Sequence, residues 1–175
     1  MFLNRIKLFL VISIYLIFFS ITNINVVSQE VKLISGIAEV IDGDTIKIEK
    51  NKIRLFGIDA PEKKQKCRKP WLTISFMTFS KDYHCGEIST LKLKNKINGE
   101  FITCKSTNKD RYKRFIAECF KGRTNINRWM VRNGYAIVYH KYSKKYLAPE
   151  NLAKDEKLGL WAGSFKKPWE WRKEN

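Results

Sequence analysis

The sequence predicts an α+β domain that is mainly β: a small barrel with about three helices packed against its outside. Three observations predict it. Apolar and polar residues alternate with a period of two through the first half of the domain, between turns marked by Gly, Asn and Asp. The later elements come in the order helix, two strands, two helices. Residues 29–175 form one stretch without internal repeat or low-complexity linker, long enough to bury a single core.

Residues 1–28 read as a secretory signal, because Arg5 and Lys7 precede the apolar run of residues 8–19. Cleavage is expected after Ser28, at Val26-Val27-Ser28. The competing reading is an uncleaved anchor, since residues 8–27 match the ~20 needed to span a bilayer. Either way the domain 29–175 is exported, to a periplasmic or secreted location. Residues 31–40 read as a strand with a bend at Ser35-Gly36. Asp42-Gly43-Asp44 is a turn, residues 45–49 are the next strand, and Lys50-Asn51-Lys52 leads into residues 53–56. Residues 63–83 are basic and polar and read as irregular. Residues 87–97 have helical spacing through Ile88, Leu91 and Ile97, and Asn98-Gly99 ends them. Residues 100–105 and 114–120 are two strands around a polar connection. Residues 125–132 are a second helix, and 135–139 a short apolar segment. Residues 149–158 are a third helix, with Pro149 in its first turn and Gly159 beyond its end. Trp161, Phe165, Trp169 and Trp171 mark an aromatic, basic tail.

The chain carries +17, and +15 remains beyond residue 28 because Arg5 and Lys7 are the only charges before it. That bias points to a polyanionic partner, nucleic acid or an anionic membrane surface. Four cysteines in an exported chain read as disulfides. Cys104 and Cys119 lie on the strands flanking residues 110–114 and are expected to pair, leaving Cys67 with Cys85. Buried free thiols are the alternative. With no Cys-x-x-Cys, and with His84 and His140 far apart, zinc has little support.

Acids and arginines concentrate in three short stretches. IRLFGIDAPE (53–62) runs as strand to Phe56, breaks at Gly57 and is stopped by Pro61. It sets Arg54 on a strand and Asp59 and Glu62 on the turn beyond. IDGDT (41–45) puts Asp44 at the end of a neighbouring strand, and DRYKR (110–114) adds Arg114. Asp44 and Asp59 can converge on one cation, and oxygen-only ligands favour a hard ion. A carboxylate such as Glu62 can take a proton from an attacking water. A guanidinium offers two phosphoryl oxygens a planar fork.

In this order and spacing, IDGDT, RLFGIDAPE and DRYKR resemble the staphylococcal nuclease (thermonuclease) family, over about residues 31–161. The resemblance implies an OB-fold, a five-stranded Greek-key barrel suited to nucleic acids. It implies Ca²⁺-dependent hydrolysis of DNA and RNA, single strands preferred, with little sequence preference. Asp44, Asp59 and the main-chain carbonyl of Ala60 would then be the Ca²⁺ ligands, with Asp42 behind them. Glu62 would be the general base, and Arg54 and Arg114 the catalytic arginines. Arg111 and Tyr112 match phosphate contacts. Tyr142 matches a base-stacking aromatic, and His140 stands where a relative has a second tyrosine. Ala60 stands where the family reference has Thr, which a main-chain ligand tolerates. The departure that matters is Lys113 in place of the usual glycine, where a positive φ would strain lysine by about 1–2 kcal/mol. Two other functions fit the sequence. One is a catalytically weak OB-fold module that binds nucleic acid, the other an envelope accessory protein.

Overall fold

The computed structural model describes residues 30–175. The signal or anchor expected at residues 1–28 lies outside the described residues. The elements run β1 (Lys32–Asp42), β2 (Thr45–Ile48), β3 (Asn51–Leu55), β4 (Ile58–Asp59), β5 (Cys67–Ile74), β6 (Met77–Tyr83) and α1 (Cys85–Ile97). Then come β7 (Phe101–Lys109), β8 (Phe115–Lys121), β9 (Thr124–Asn125), α2 (Ile126–Arg132), β10 (Ile137–Val138) and α3 (Leu147–Asp155). A 3₁₀ turn (Gly159–Ala162) and α4 (Pro168–Glu174) complete the chain.

Five strands close the barrel that the alternation predicts. β1, β2 and β3 form an antiparallel meander, and β7 and β8 continue it from the other edge of β1. β8 then returns to β3 in parallel, with Ile53 opposite Phe115 and Arg54 opposite Ile116. Every second residue points inward, so Ile46, Ile48, Ile53, Leu55 and Ile102 fill the interior with Leu93 and Ile97 of α1 and Ile126 and Met130 of α2. Burying each such side chain is worth about 1.5–3 kcal/mol. The parallel seam is stitched by buried Asn127. Its Nδ2 donates to the carbonyls of Phe56 (3.0 Å) and Ala117 (3.1 Å), and its Oδ1 accepts from Cys119 N (3.0 Å).

Cys104 and Cys119 face each other in the β7–β8 register and are joined, with Cα atoms 4.0 Å apart. Cys67 is joined to Cys85. Three regions differ from the sequence-based expectation. The segment taken as irregular is the β5–β6 hairpin. Its Trp71, Leu72, Ile74, Phe76, Met77 and Phe79 are exposed, so no one-sided burial imposes a period on the sequence. The aromatic tail ends in a fourth helix, α4. Its residues Trp161, Phe165 and Trp169 pack on a second apolar cluster of Cys67, Cys85, Ile137 and Leu160. The third helix starts two residues earlier than expected because Pro149, lacking an N–H, is tolerated in a first turn. Among the described residues no helix is long and apolar enough to cross a membrane.

Candidate active site

The site grows from two turns braced by α1. In the β1–β2 turn, Asp44 N donates to Asp42 Oδ1 at 3.0 Å, a local bond that Asp forms readily. A Cβ on Gly43 would lie 2.3 Å from Ser89 Oγ and 2.7 Å from the Ala60 Cβ, so only glycine lets this turn sit against α1 and the second turn together. The second turn follows β4, which pairs with β10 and sets Asp59 opposite Ile137. At its far end a Cβ on Gly86 would meet the Glu62 carbonyl at 1.8 Å. Gln65 holds Glu62 from both sides, since its N donates to Glu62 O (2.7 Å) and its Oε1 accepts from Glu62 N (3.2 Å).

The β2–β3 register puts Arg54 opposite Thr45, beside Asp44. Arg54 Nη1 is 2.5 Å from Asp44 Oδ1, and Nη2 is 2.5 Å from Asp59 Oδ1. One guanidinium thus joins two buried carboxylates. Asp44 Oδ1 also accepts from Thr45 Oγ1 and its Oδ2 from Ala60 N, both at 3.0 Å. Burial, and then the charge of Asp44, push the Asp42 carboxyl up to about 6. Burial and the Asp44 charge also raise Asp59, against the pull of Arg172 and Arg54. Burial opposes the charge on Arg54, but Asp44 and Asp59 more than offset it, and Arg54 stays a cation.

Asp44, Asp59, Ala60 and Glu62 are therefore brought together around Arg54 and a further residue, Arg172. The DRYKR turn stands apart. Asp110 Oδ2 accepts from Arg114 Nε (2.8 Å) and Nη2 (2.7 Å), and its Oδ1 accepts from the N–H groups of Tyr112 and Arg114. The guanidiniums of Arg111 and Arg114 both lie over the exposed Tyr112 ring. Among the described residues no hydrogen bond links Arg114 to the Asp44–Asp59 pair. Yet the parallel register, Arg54 opposite Ile116, puts Arg114 two residues back on the same outer face. Lys113 has φ 63°, the left-handed conformation the missing glycine implied.

The aromatic residues sit beside the turn between β3 and β4, where Tyr139 N donates to Gly57 O at 3.0 Å. Tyr142 is exposed and meets Tyr139 edge-on at 4.8 Å. His140 points instead toward buried Glu150, 3.7 Å away. Sequence reasoning missed Tyr139, Trp169, Gln65 and Arg172. Trp169 stacks on Tyr139 at 5.1 Å and 6°. Arg172 reaches Asp59 and Glu62 from the far end of the chain, and no motif announces it. Among the described residues no group of three or more His, Cys, Asp and Glu is arranged to hold a metal. The donors available to a hard cation are the Asp44 and Asp59 carboxylates, with the Ala60 peptide on the same turn.

Barrel and site together define a class: an OB-type barrel protein with an acid–arginine site on its wall. The chain belongs to the staphylococcal nuclease family, whose description, Staphylococcal nuclease homologue, matches residues 52–163. It is 35% identical over 144 residues to an uncharacterized endonuclease of Escherichia coli, covering 78% of this chain and 82% of that one. It is 34% identical over 131 residues to the succinoglycan biosynthesis protein ExoI of Rhizobium meliloti, covering 73% and 64%. To the staphylococcal-like nuclease CAN1 of Arabidopsis thaliana it is 33% identical over 128 residues, covering 71% and 34%.

Proposed function

We propose that this chain is an exported, calcium-dependent nuclease that hydrolyses phosphodiester bonds of DNA and RNA, with single strands preferred and little sequence preference. The observation that carries the reading is one guanidinium, Arg54, shared by Asp44 and Asp59 with Glu62 at the edge of the same cluster. Family membership and the names of the Escherichia coli and plant relatives support nuclease activity. Two disulfides and the apolar segment before residue 28 support export.

In this reading Asp44, Asp59 and the Ala60 carbonyl hold Ca²⁺. The set is all oxygen and twice anionic, with Asp44 held by the Ala60 N–H and Asp59 by Arg54 and Arg172, which suits a hard cation and not zinc. When bound, the ion supplies charge stabilisation at a phosphoryl oxygen. Glu62, about a third exposed, takes the proton of the attacking water. Arg54 keeps N–H groups beyond those given to the two carboxylates, and Arg114 keeps Nη1. These forks meet the charge that develops on phosphoryl oxygens. Arg111 and Tyr112 contact phosphate. Tyr142 and His140 offer base-stacking surface, a mode tolerant of base identity.

Turnover of wild type and Glu62→Gln on single-stranded DNA, with Ca²⁺ and with chelator, tests the reading. The glutamine keeps the shape but cannot accept the proton. Turnover should fall by about 10²–10³ while DNA affinity survives. Full turnover by Glu62→Gln at saturating Ca²⁺ would sink the assignment. DNA binding by an inactive wild type would favour a binding module, and neither activity nor binding an envelope accessory role.

A further inference from the structure

We infer that Arg172 is the exchangeable cation of the acid cluster, beside the fixed Arg54, and that a divalent cation gains Asp59 only by displacing it, so that the C-terminal helix sets the metal affinity of the site. The inference rests on the metal reading above. It starts from three hydrogen bonds spanning at least 110 residues of sequence. Arg172 Nη1 lies 2.7 Å from Glu62 Oε1 and 3.2 Å from Asp59 Oδ1, and Nη2 lies 2.9 Å from Asp59 Oδ2. Asp59 is fully buried, and a buried carboxylate needs a counter-charge. Arg54 reaches only its Oδ1. Arg172 is the side chain that covers Oδ2.

The covered atoms are the ones the chemistry needs. A metal ion on Asp59 and a proton-accepting Glu62 both use oxygens to which Arg172 now donates. A divalent ion in the same place carries twice the charge and sheds the arginine by like-charge repulsion. The helix is built so that this exchange is local. Its start is fixed: Pro168 is buried, Trp169 stacks on Tyr139, and Gln65 Nε2 donates to Lys166 O at 2.7 Å. Its end is not. Residues 172–175 are exposed, and the Arg172 side chain is 35% accessible. It can swing into water while Pro168 and Trp169 stay in place.

Calcium binding measured by calorimetry, without substrate, on wild type, Arg172→Gln, Arg172→Lys and Asp59→Asn tests the inference. Arg172→Gln should bind Ca²⁺ about tenfold more tightly, equivalent to about 1.4 kcal/mol. Arg172→Lys should fall between it and wild type, and Asp59→Asn should bind more weakly. If wild type and Arg172→Gln bind Ca²⁺ equally, or the variant binds less tightly, the inference fails and the metal reading stands. If neither binds, or Asp59→Asn binds as wild type does, the metal reading fails and takes the inference with it.

Discussion

Arg54 and Arg114 occupy the same face of the barrel wall but are held in opposite ways. Arg54 is 17% exposed and bridges two buried acids that come from different turns. Arg114 is 23% exposed and pairs with one acid four residues back, in its own turn. The exposures are nearly equal, so the difference lies in connectivity. Arg54 is part of what holds the β1–β2 turn against the β4 turn, whereas Arg114 is positioned by a single local loop. Stability and chemistry should therefore be inseparable at Arg54 and separable at Arg114.

Replacing each arginine by lysine puts that contrast at risk. A lysine at 54 keeps a charge but reaches one carboxylate at a time, leaving either Asp59 to Arg172 alone or Asp44 to its bonds from Thr45 and Ala60. Breaking a buried pair costs about 3–5 kcal/mol, and with the charge retained about 2–3 kcal/mol is expected in denaturant melts, along with a large drop in turnover. Arg114→Lys should lower turnover by about 10²–10³, the scale of one lost transition-state donor. Its stability should change by no more than about 1 kcal/mol. If both variants lose the same stability, connectivity is the wrong explanation.

What was legible in the sequence follows the same division. The barrel strands were legible because one-sided burial forces a period of two, and the acids and Arg54 because their turns carry Gly, Asp and Pro. The pairing of Cys104 with Cys119 followed from their places on adjacent strands. The β5–β6 hairpin was not legible, since Trp71, Ile74 and Phe76 are all exposed and carry no alternation. Nor was Arg172: seven residues of helix after a 3₁₀ turn have too little length for a helical period to emerge. Its contact with Asp59 is set by tertiary packing 113 residues away. Asn127, which seals the parallel seam, looked like any polar helix residue.

Asp110→Asn tests how much a local loop is worth. Burial acts to raise the Asp110 pKa, but hydrogen bonds from the Arg114 side chain and backbone, its charge and Tyr112 N outweigh it and hold the carboxyl below its usual range. A lowered folded pKa means stability that is present above the unfolded value of about 3.9 and lost as pH falls through the folded one. Wild type should exceed Asp110→Asn by about 1 kcal/mol at neutral pH. The gap should persist down to about pH 5 and close in more acidic buffer. A gap that does not change with pH would mean the charge on Asp110 is not what positions the turn.

Lys113→Gly is the smallest perturbation and separates backbone from side chain in the same turn. Lys113 sits at φ 63°, and its N–H donates to Asp110 O at 2.9 Å, so the conformation is needed to close the loop around Asp110. A non-glycine residue there carries about 1–2 kcal/mol of strain. Glycine relieves it but loses about 0.5–1 kcal/mol to the greater freedom of the unfolded chain. The expected net is a gain of roughly 0.5 kcal/mol, with turnover equal or slightly higher because Arg114 is held by a less strained loop. Thermal melts and turnover measured side by side distinguish the outcomes. More stability with equal activity supports the strain account. A large loss of activity without loss of stability would mean that the Lys113 ammonium touches the substrate, and the turn would then owe its lysine to function and not to drift from glycine.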